Sequence, residues 1–199
     1  MKAINKQFYM FTGIISEIGE VVKIEKEQSQ TTFTIKTKII LKDKKIGQSI
    51  AVNGVCVTIT SLKNPDFSFD AISETLDRTN LKSLKLKNKV NLESALKLNQ
   101  GLDGHFVQGH IDTEGTVKII PSKNNDFTLT IIFPQEIAQY LAFKGSITIN
   151  GVSLTISDLQ EDNFSVKLIP HTLKTTNLNI LKTGDKINLE VDLIARHIK

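Results

Sequence analysis

Hydrophobic and polar residues alternate along most of this chain, within short segments separated by clusters of Gly, Asn, Asp or Lys. The segments are rich in Val, Ile, Thr and Phe, which favours half-buried β-strands. Six or so such strands in about 90 residues predict a small closed antiparallel barrel, because closure removes exposed strand edges. The clearest segments are TTFTIKTKI, SIAVNGVCVTI, FSFDAI and KVNLE, with FTLTIIF, SITINGVSLTI, FSVKLI and KINLE as their counterparts.

Helical periodicity is confined to two places. The segment PQEIAQYLAF begins with Pro134, which suits the first turn of a helix, and it places Ile137, Ala138 and Leu141 on one face. A second short helix is predicted near Asp192, in DLIARHIK. We therefore predict an all-β protein with few short helices.

The chain also repeats itself. NGVCVTI begins at position 53 and NGVSLTI at position 150, an offset of 150 − 53 = 97, and residues 53–96 lie over 150–193 without a gap. With the offset reduced by one, FTGIISEIGEV lies over VQGHIDTEGTV and pairs Gly13 with Gly109. Two such long copies indicate a duplicated domain rather than a solenoid of small units.

The duplication predicts two homologous barrels, at residues 10–97 and 106–193. Residues 98–105 are a short, glycine-bearing linker, residues 1–9 an N-terminal extension, and residues 194–199 a short C-terminal helix. With 199 residues in total, the chain is long enough to bury its cores without metal or disulfide staples.

Composition narrows the choice of partners. The formal net charge is +4, and the lysine-rich run at residues 81–89 is the obvious candidate for binding an anion. Aromatic residues are not interleaved with these lysines as stacking platforms, so no nucleic acid is expected. No run of about 18 apolar residues is present, which argues against a membrane span. A single Cys and no apolar run of signal-peptide length near the start predict a cytoplasmic protein.

The sequence contains none of the common motifs of metal or nucleotide chemistry. The four histidines show no HExxH spacing, and a single cysteine cannot make a CxxC pair. There is no GxxxxGK or GxGxxG phosphate loop and no GxSxG nucleophile elbow. We therefore expect no metal and no nucleotide cofactor.

Polar residues at equivalent places in both copies are the remaining candidates for a site. After the Asn-Gly turn, one strand carries Cys56 and Thr58, and its copy carries Ser153 and Thr155. Alternation puts each pair on one face of its strand. If that face is the barrel mouth, hydroxyl and thiol groups line a pocket for a planar heterocycle. A lone Cys is more often a small buried hydrophobe and a strand Thr simply a strand former, so the interpretation depends on the repeat.

The two copies are unequal at a few of these positions. His110 stands where the first copy has the aliphatic Ile14. A solitary histidine is more often structural than catalytic, but this one follows a repeating glycine and can exchange a proton near neutral pH. The other unequal positions, first copy then second, are Cys56 and Ser153, and Glu74 and His171.

Six motifs follow one another along the chain: MFTGII, NGVCVTI, SETLDRTNL, GHFVQGHID, KGSITINGVSLTI and LIPHTLKTTNL. In this order and spacing they resemble the alpha-type riboflavin synthase family. The resemblance covers nearly all of residues 10–199.

The resemblance implies two similar six-stranded Greek-key barrels with a C-terminal helix, each binding one 6,7-dimethyl-8-ribityllumazine. The family's reaction is a dismutation that moves a four-carbon unit between two such molecules and gives riboflavin and 5-amino-6-ribitylaminouracil. No metal or organic cofactor is implied. The implied assembly is a homotrimer in which the N-terminal barrel of one subunit faces the C-terminal barrel of a neighbour.

Site residues are also implied by the resemblance, grouped by barrel. The residues of the first barrel's site are Gly13, Ile14, Ile15, Ser49, Cys56, Val57, Thr58, Asp70, Ala71, Ile72, Ser73, Glu74 and Thr75. The residues of the second barrel's site are Gly109, His110, Ile111, Lys144, Ser153, Leu154, Thr155, Lys167, Leu168, Ile169, Pro170, His171 and Thr172.

Roles in the reaction are implied for a smaller set. His110 assists deprotonation of the acidic C7 methyl group of the substrate. Ser153 and Cys56 position a nucleophile or a substrate ring, and Asp192 supports the site between subunits. Phe11 matches a phenylalanine that the family places near catalysis.

The chain departs from the family pattern at both ends. Nine residues precede Met10, so that either Met1 or Met10 is the start, and only LIARHIK follows Asp192 where family members commonly continue the helix. The short C-terminus weakens the expectation of a trimer. It also fits an alternative, a non-catalytic lumazine- or flavin-binding antenna paralogue, although the retained proton-transfer residues favour an enzyme.

Overall fold

The computed structural model of the protein describes residues 10–42, 44–97, 99–119 and 127–198. The extension predicted at residues 1–9 lies outside the described residues. The described chain forms two closed barrels, each of six antiparallel strands. The prediction of two tandem barrels from the alternation and the repeat is confirmed.

The first barrel has the strand order β1-β2-β5-β4-β3-β6, and β6 pairs with β1 to close it. The jump from β2 to β5 is a Greek-key connection. Its strands are β1 Glu17–Lys26, β2 Gln30–Lys36, β3 Ser49–Val52, β4 Val55–Lys63, β5 Asp66–Ile72 and β6 Lys89–Ser94.

The second barrel repeats this topology as β10-β11-β8-β7-β12-β9. Closure again joins the first and last strands of the copy, since β12 pairs with β7. Its strands are β7 Thr113–Ile119, β8 Phe127–Ile132, β9 Ser146–Ile149, β10 Val152–Leu159, β11 Asn163–Leu168 and β12 Lys186–Val191.

The alternation in the sequence arises because every second strand residue points into a barrel. In β4, Val57 and Ile59 are buried while Thr58 between them is exposed. Phe33 and Phe69 stack inside the first barrel with ring centroids 5.3 Å apart. Each barrel thus has its own hydrophobic core, filled by side chains as is usual for small barrels.

The repeated Asn-Gly pair forms a tight turn in each barrel. Asn53 and Gly54 have φ angles of 48° and 80°, and Asn150 and Gly151 have 46° and 79°. Two successive left-handed residues are what a type I′ hairpin requires, and Asn-Gly adopts them most readily. These turns join β3 to β4 and β9 to β10.

Buried asparagines connect the two barrels. The side-chain amide of Asn188 donates to the carbonyl oxygen of Asn53 at 2.9 Å and to Oδ1 of Asn80 at 3.0 Å. In the other direction, the side-chain amide of Asn80 donates to Oδ1 of Asn150 at 3.0 Å. Since a buried amide must be hydrogen-bonded, these contacts fix the barrels against each other. The buried asparagines of the described chain are Asn53, Asn80, Asn91, Asn150, Asn177 and Asn188.

The described helices are short, as predicted, but their places differ in part. The helix predicted near Asp192 is confirmed as α3, where the Asp192 side chain accepts a hydrogen bond from the Ile194 N–H at 2.9 Å. Helices α1 and α2 were not predicted, because neither buries a residue and so neither leaves an apolar stripe in the sequence. The α-helices are α1 Ser73–Arg78, α2 Pro170–Thr175 and α3 Leu193–His197.

The helix predicted from Pro134 is a 3₁₀ helix, Gln135–Tyr140, with Pro134 just before its first residue. Its hydrogen bonds span three residues, as from the Leu141 N–H to the Ala138 carbonyl at 3.2 Å. Ile137 and Leu141 are buried against the second core, as the periodicity suggested. Two other 3₁₀ helices are Asn80–Ser83 and Asn177–Ile180.

Candidate active site

Cys56 and Thr58 share the outer face of β4, and Ser153 and Thr155 occupy the same positions on β10. Cys56 is half-buried and Thr58 is exposed, whereas Val57 between them points into the core. The prediction of a shared face is right. The suggestion that this face is the barrel mouth is wrong, because hydrophobic side chains fill both barrels and the polar pairs lie outside them.

The chain just before β7 lies against β4 of the first barrel. The Cys56 N–H donates to the Gly109 carbonyl oxygen at 2.9 Å. A Cβ atom placed on Gly109 would lie 2.6 Å from the Cβ of Cys56, and the φ angle of +76° is left-handed, so glycine is required here. Two residues later, Ile111 packs against the core of the first barrel.

The chain just before β1 makes the matching contact with the second barrel. The Ser153 N–H donates to the Gly13 carbonyl oxygen at 2.8 Å, and Ile15 packs against the second core. These two stretches, residues 11–15 and 107–111, are called the crossing segments below. They also pair with each other, through a hydrogen bond of 2.7 Å from the Phe11 N–H to the carbonyl of residue 107.

The crossing segments correct the grouping of site residues by barrel. Gly13–Ile15 were assigned to the site of Cys56 and Gly109–Ile111 to that of Ser153, and the structure exchanges them. Sequence equivalence could not reveal this, because a repeat offset relates the copies to each other without saying how they pack. The exchange brings His110 to the side of Cys56.

Two buried glutamates that the sequence analysis missed hold the crossing segments. Glu190 in β12 accepts hydrogen bonds from the N–H groups of Gln108, at 2.7 Å, and Gly109, at 2.9 Å. Glu93 in β6 accepts from the Thr12 N–H at 2.7 Å, from the Thr12 hydroxyl at 2.9 Å and from the Gly13 N–H at 3.0 Å. Glu93 ends the segment KVNLE and Glu190 ends its copy KINLE, and this repeat was the signal in the sequence that could have revealed both.

Burial changes the protonation of three groups at these sites. It raises the pKa of Glu190 to about 7 against the opposing effect of its two backbone hydrogen bonds, and it raises the pKa of Glu93. Burial also raises the pKa of the Cys56 thiol, partly offset by a hydrogen bond with Ser49, while the charge of Glu190 adds to the rise. Cys56 is therefore a neutral thiol near pH 7.

His105, a third residue that the sequence analysis missed, contacts Ser153. Its Nδ1 lies 2.8 Å from the Ser153 hydroxyl, and its Nε2 is buried without a hydrogen-bond partner. Burial lowers the pKa of His105, while the carboxylate of Asp192 acts in the opposite direction. A neutral imidazole beside a hydroxyl can accept its proton, so Ser153 has a hydrogen-bonded base. Among the described residues, Cys56 has no such hydrogen bond to a histidine.

Phe11 lies at the start of the first crossing segment. Its side chain is fully buried between the barrels, packed with Ala51 and Val107. The ring packs the crossing segment, and a role of Phe11 near catalysis stays a prediction. Asp192 lies near His105 and caps α3.

Most of the remaining predicted residues lie on β4, β5, β10 and β11 or close to α1 and α2, while Ser49 begins β3 and Lys144 precedes β9. The exposed ones are Ile14, Thr58, Ile72, Ser73, Glu74, His110, Lys144, Thr155, Lys167, Ile169, Pro170 and His171. The half-buried ones are Asp70, Thr75, Leu154 and Thr172. The buried ones are Ser49, Val57, Ala71 and Leu168. Of these, Val57, Ala71 and Leu168 face the cores, so only their backbone is open to a ligand.

A cleft of about 270 Å³ opens beside the first crossing segment, with Thr12, Ile14 and Glu93 in its wall. A larger groove of about 610 Å³ lies on the outside of the first barrel, between Val22 and Lys63, away from Cys56 and Ser153. The groups that converge on Cys56 and Ser153, rather than the larger groove, identify the site.

Across residues 10–42, 44–97, 99–119 and 127–198, no three His, Cys, Asp or Glu side chains lie close enough to hold a metal ion. In the same part of the chain, no helix has the length and hydrophobicity to cross a membrane.

Comparison with known proteins identifies the family. A lumazine binding domain matches twice, at residues 12–95 and 108–192. The riboflavin synthase of Actinobacillus pleuropneumoniae is 43% identical over 190 residues, which are 96% of this chain and 88% of the relative. The riboflavin synthase of Bacillus subtilis is 40% identical over 95% of this chain and 88% of its own length. That of Mycobacterium tuberculosis is 41% identical over 96% of both chains.

Solved structures with the same fold carry related ligands. LumP complexed with riboflavin superposes with a TM-score of 0.84 at 28% identity, over 91% of this chain and 98% of LumP. LumP complexed with 6,7-dimethyl-8-(1'-D-ribityl) lumazine gives a TM-score of 0.82 at 27% identity, with the same coverage. Two lumazine binding domains in two barrels, together with synthase relatives that match nearly the whole chain, show that this protein belongs to the riboflavin synthase family, enzymes of riboflavin biosynthesis.

Proposed function

We propose that this protein dismutates two molecules of 6,7-dimethyl-8-ribityllumazine. A four-carbon unit leaves one molecule and joins the other, giving riboflavin and 5-amino-6-ribitylaminouracil. The observation that carries the proposal is the pair of related but unequal sites, one beside Cys56 and one beside Ser153, each completed by a crossing segment. Two copies of one substrate need two similar sites, and one must give carbon while the other receives it.

The exchange of the crossing segments sharpens this asymmetry. The first site combines the neutral thiol of Cys56 with His110, whereas the second combines Ser153 with Ile14 and His105. A histidine therefore stands beside Cys56 in the first site and another beside Ser153 in the second, at positions that are not equivalent. Holding two reactants in one fixed geometry lowers the barrier by up to roughly 7–11 kcal/mol in favourable cases.

Within this scheme His110 assists removal of a proton from the C7 methyl group of the substrate at the first site. Ser153, with His105 as its base, positions a nucleophile or a substrate ring at the second site. Cys56 contributes a small polar surface rather than a thiolate, in keeping with its raised pKa. Asp192 supports the second site through His105.

The sites are proposed to meet between subunits of a homotrimer in the cytoplasm, with the Cys56 site of one chain facing the Ser153 site of its neighbour. Apolar side chains near both sites support a partner surface, since Ile14 is 47% exposed, Ile72 54% and Ile169 62%. Light scattering should give three times the mass of one chain, and the mass of a single chain would exclude this arrangement.

Turnover is tested by incubating the protein with 6,7-dimethyl-8-ribityllumazine and following the absorbance of riboflavin. A binding protein without turnover is the second candidate, because the fold also matches LumP with bound lumazine or riboflavin. Stable ligand binding with no product would favour that candidate. Product formation, with the protein used in catalytic amounts, would establish the enzyme.

The asymmetry is tested by Cys56→Ser and Ser153→Cys. Each variant makes the two sites alike at one position, so the proposal expects turnover to fall in at least one of them while lumazine is still bound. If both variants turn over at the parent rate, this pair of residues does not separate donor from acceptor.

A further inference from the structure

Glu190 joins the two barrels through one continuous chain of hydrogen bonds. It stands in β12 of the second barrel, and its two carboxylate oxygens accept the N–H groups of Gln108 and Gly109. The carbonyl of Gly109 in turn accepts the N–H of Cys56 in β4 of the first barrel. A carboxylate of one barrel therefore determines where a loop lies at the site of the other.

His110 is the next residue in the sequence after Gly109, the central member of this chain of hydrogen bonds. Gly109 lies close against Cys56, since a Cβ atom added to it would be 2.6 Å from the Cys56 Cβ. On the other side of His110, Ile111 packs into the first core. His110 is exposed between these two anchors, so its position is set by the backbone on either side.

The use of the Glu190 carboxylate to hold the crossing segment lowers the stability of the folded protein. Glu190 is 2% exposed, and burying a charged carboxylate is unfavourable even when it is hydrogen-bonded. A neutral acceptor would hold a structural loop at lower cost. The carboxylate provides two acceptors pointing at consecutive amides, which fixes the direction of the peptide as well as its distance.

Glu93 makes the corresponding contacts at the second site, but the two are not equal. Glu93 also accepts a hydrogen bond from the Thr12 hydroxyl. The residue equivalent to Thr12 in the other crossing segment is Gln108. Glu190 is faced by Asp112, whose charge raises its pKa, and by Arg196, whose charge lowers it. Arg196 contacts both carboxylate oxygens of Asp112, at 2.6 and 2.7 Å. The charge of Glu190 also raises the pKa of the Cys56 thiol.

Building on the lumazine dismutation proposed above, we infer that Glu190 is a positioning residue of that reaction. It acts from the second barrel by holding Gln108 and Gly109 so that His110 lies at the first site. Glu93 performs the same task for the segment at Ser153, and so it affects the reaction independently of His110.

A double-mutant cycle separates this role from a general loss of structure. Glu190→Gln is combined with His110→Ala, and Glu93→Gln with His110→Ala is the matched control. Glu190→Gln alone should lower kcat roughly 10- to 100-fold, a part of what general acid–base catalysis contributes, with KM changed less than about threefold. In the His110→Ala background, Glu190→Gln should lower kcat by less than about a further twofold. Glu93→Gln should lower kcat by the same factor in that background as in the parent protein, so that its effect and that of His110→Ala multiply.

Glu190→Asp replaces the Gln variant if the latter does not fold. It keeps the charge but is one methylene shorter and cannot reach both amides, so the same change in kcat and the same loss of additivity are expected. Wild-type turnover in either Glu190 variant, or an effect that multiplies fully with His110→Ala, would overturn the inference.

A readout without turnover keeps the inference separate from the proposed function. In NMR spectra the amide proton of Gly109 should move with pH near 7 in the parent protein and should not do so in Glu190→Gln. A Gly109 amide insensitive to the Glu190 substitution would count against the positioning contact itself. A parent protein that makes no riboflavin would instead defeat the dismutation, whatever the Gly109 signal shows.

Discussion

Nδ1 of His105 lies 2.8 Å from the hydroxyl oxygen of Ser153, and the described residues around Cys56 contain no counterpart of this pair. We expect His105→Ala to lower turnover roughly tenfold, because Ser153 loses the base that orients or deprotonates it. Steady-state kinetics with 6,7-dimethyl-8-ribityllumazine measures the effect. His197→Ala, at an exposed histidine of α3, is the control and should leave turnover unchanged.

The pair of His105 and Ser153 also predicts how the stability of the folded protein depends on pH. Burial lowers the pKa of His105 in the folded protein, so the folded state binds this proton less tightly than the unfolded chain. The contribution of His105 to stability is full above about pH 6.5 and is lost as the pH falls below it. Urea unfolding of His105→Gln should show a smaller loss of stability between pH 6.5 and 5 than the parent. Parallel curves would contradict this assignment.

Gly109 touches the first site so closely that a single methyl group should disturb it. Gly109→Ala places a Cβ 2.6 Å from Cys56 at a φ angle of +76°, so it combines a steric clash with a strained backbone. Gly47→Ala is the matched control, because Gly47 has a φ angle of +87° but no atom within 4 Å of the new Cβ. We expect about 1–2 kcal/mol of destabilisation for the control and roughly 1–3 kcal/mol more for Gly109→Ala. Equal losses in urea unfolding would show that the approach to Cys56 is not limiting.

The asparagine network should contribute strongly to stability. Asn188→Ala removes the acceptor of the Asn80 N–H and a donor to the Asn53 carbonyl, and so leaves buried polar groups without partners. A loss of about 2–4 kcal/mol in the free energy of unfolding is expected. Asn179→Ala, at an exposed asparagine, should change stability by less than about 0.5 kcal/mol. A small effect at Asn188 would mean that the barrels are held mainly by other contacts.

Glu190 makes folding weaker as the pH rises toward neutrality. Its pKa is about 7 when folded against 4.5 for the ordinary group, so the folded state binds the proton more tightly. The favourable contribution is complete below pH 4.5 and is lost as the pH rises to 7, by an amount on the order of 3 kcal/mol. Glu190→Gln does not titrate and should flatten the pH dependence of urea unfolding in this window. An unchanged slope would show that Glu190 is ionised throughout.

Local pattern determined much of this protein. The alternation of buried and exposed residues predicted the strands, because a strand has only two faces, and the 97-residue repeat predicted two barrels of one kind. Asp192 was recognisable as the start of α3 because a capping residue acts on its own neighbours. The strand positions of Cys56 and Ser153 followed from the same periodicity.

Only the tertiary structure decided how the two copies complete each other. Glu190 and Gly109 are 81 residues apart, and His105 and Ser153 are 48 apart. No spacing in the sequence encodes those contacts, since they depend on how one barrel docks on the other. The docking exchanges the crossing segments and puts His110 beside Cys56 and Gly13 beside Ser153. The alternation of side chains is a property of each strand, whereas the sites belong to the interface between two barrels.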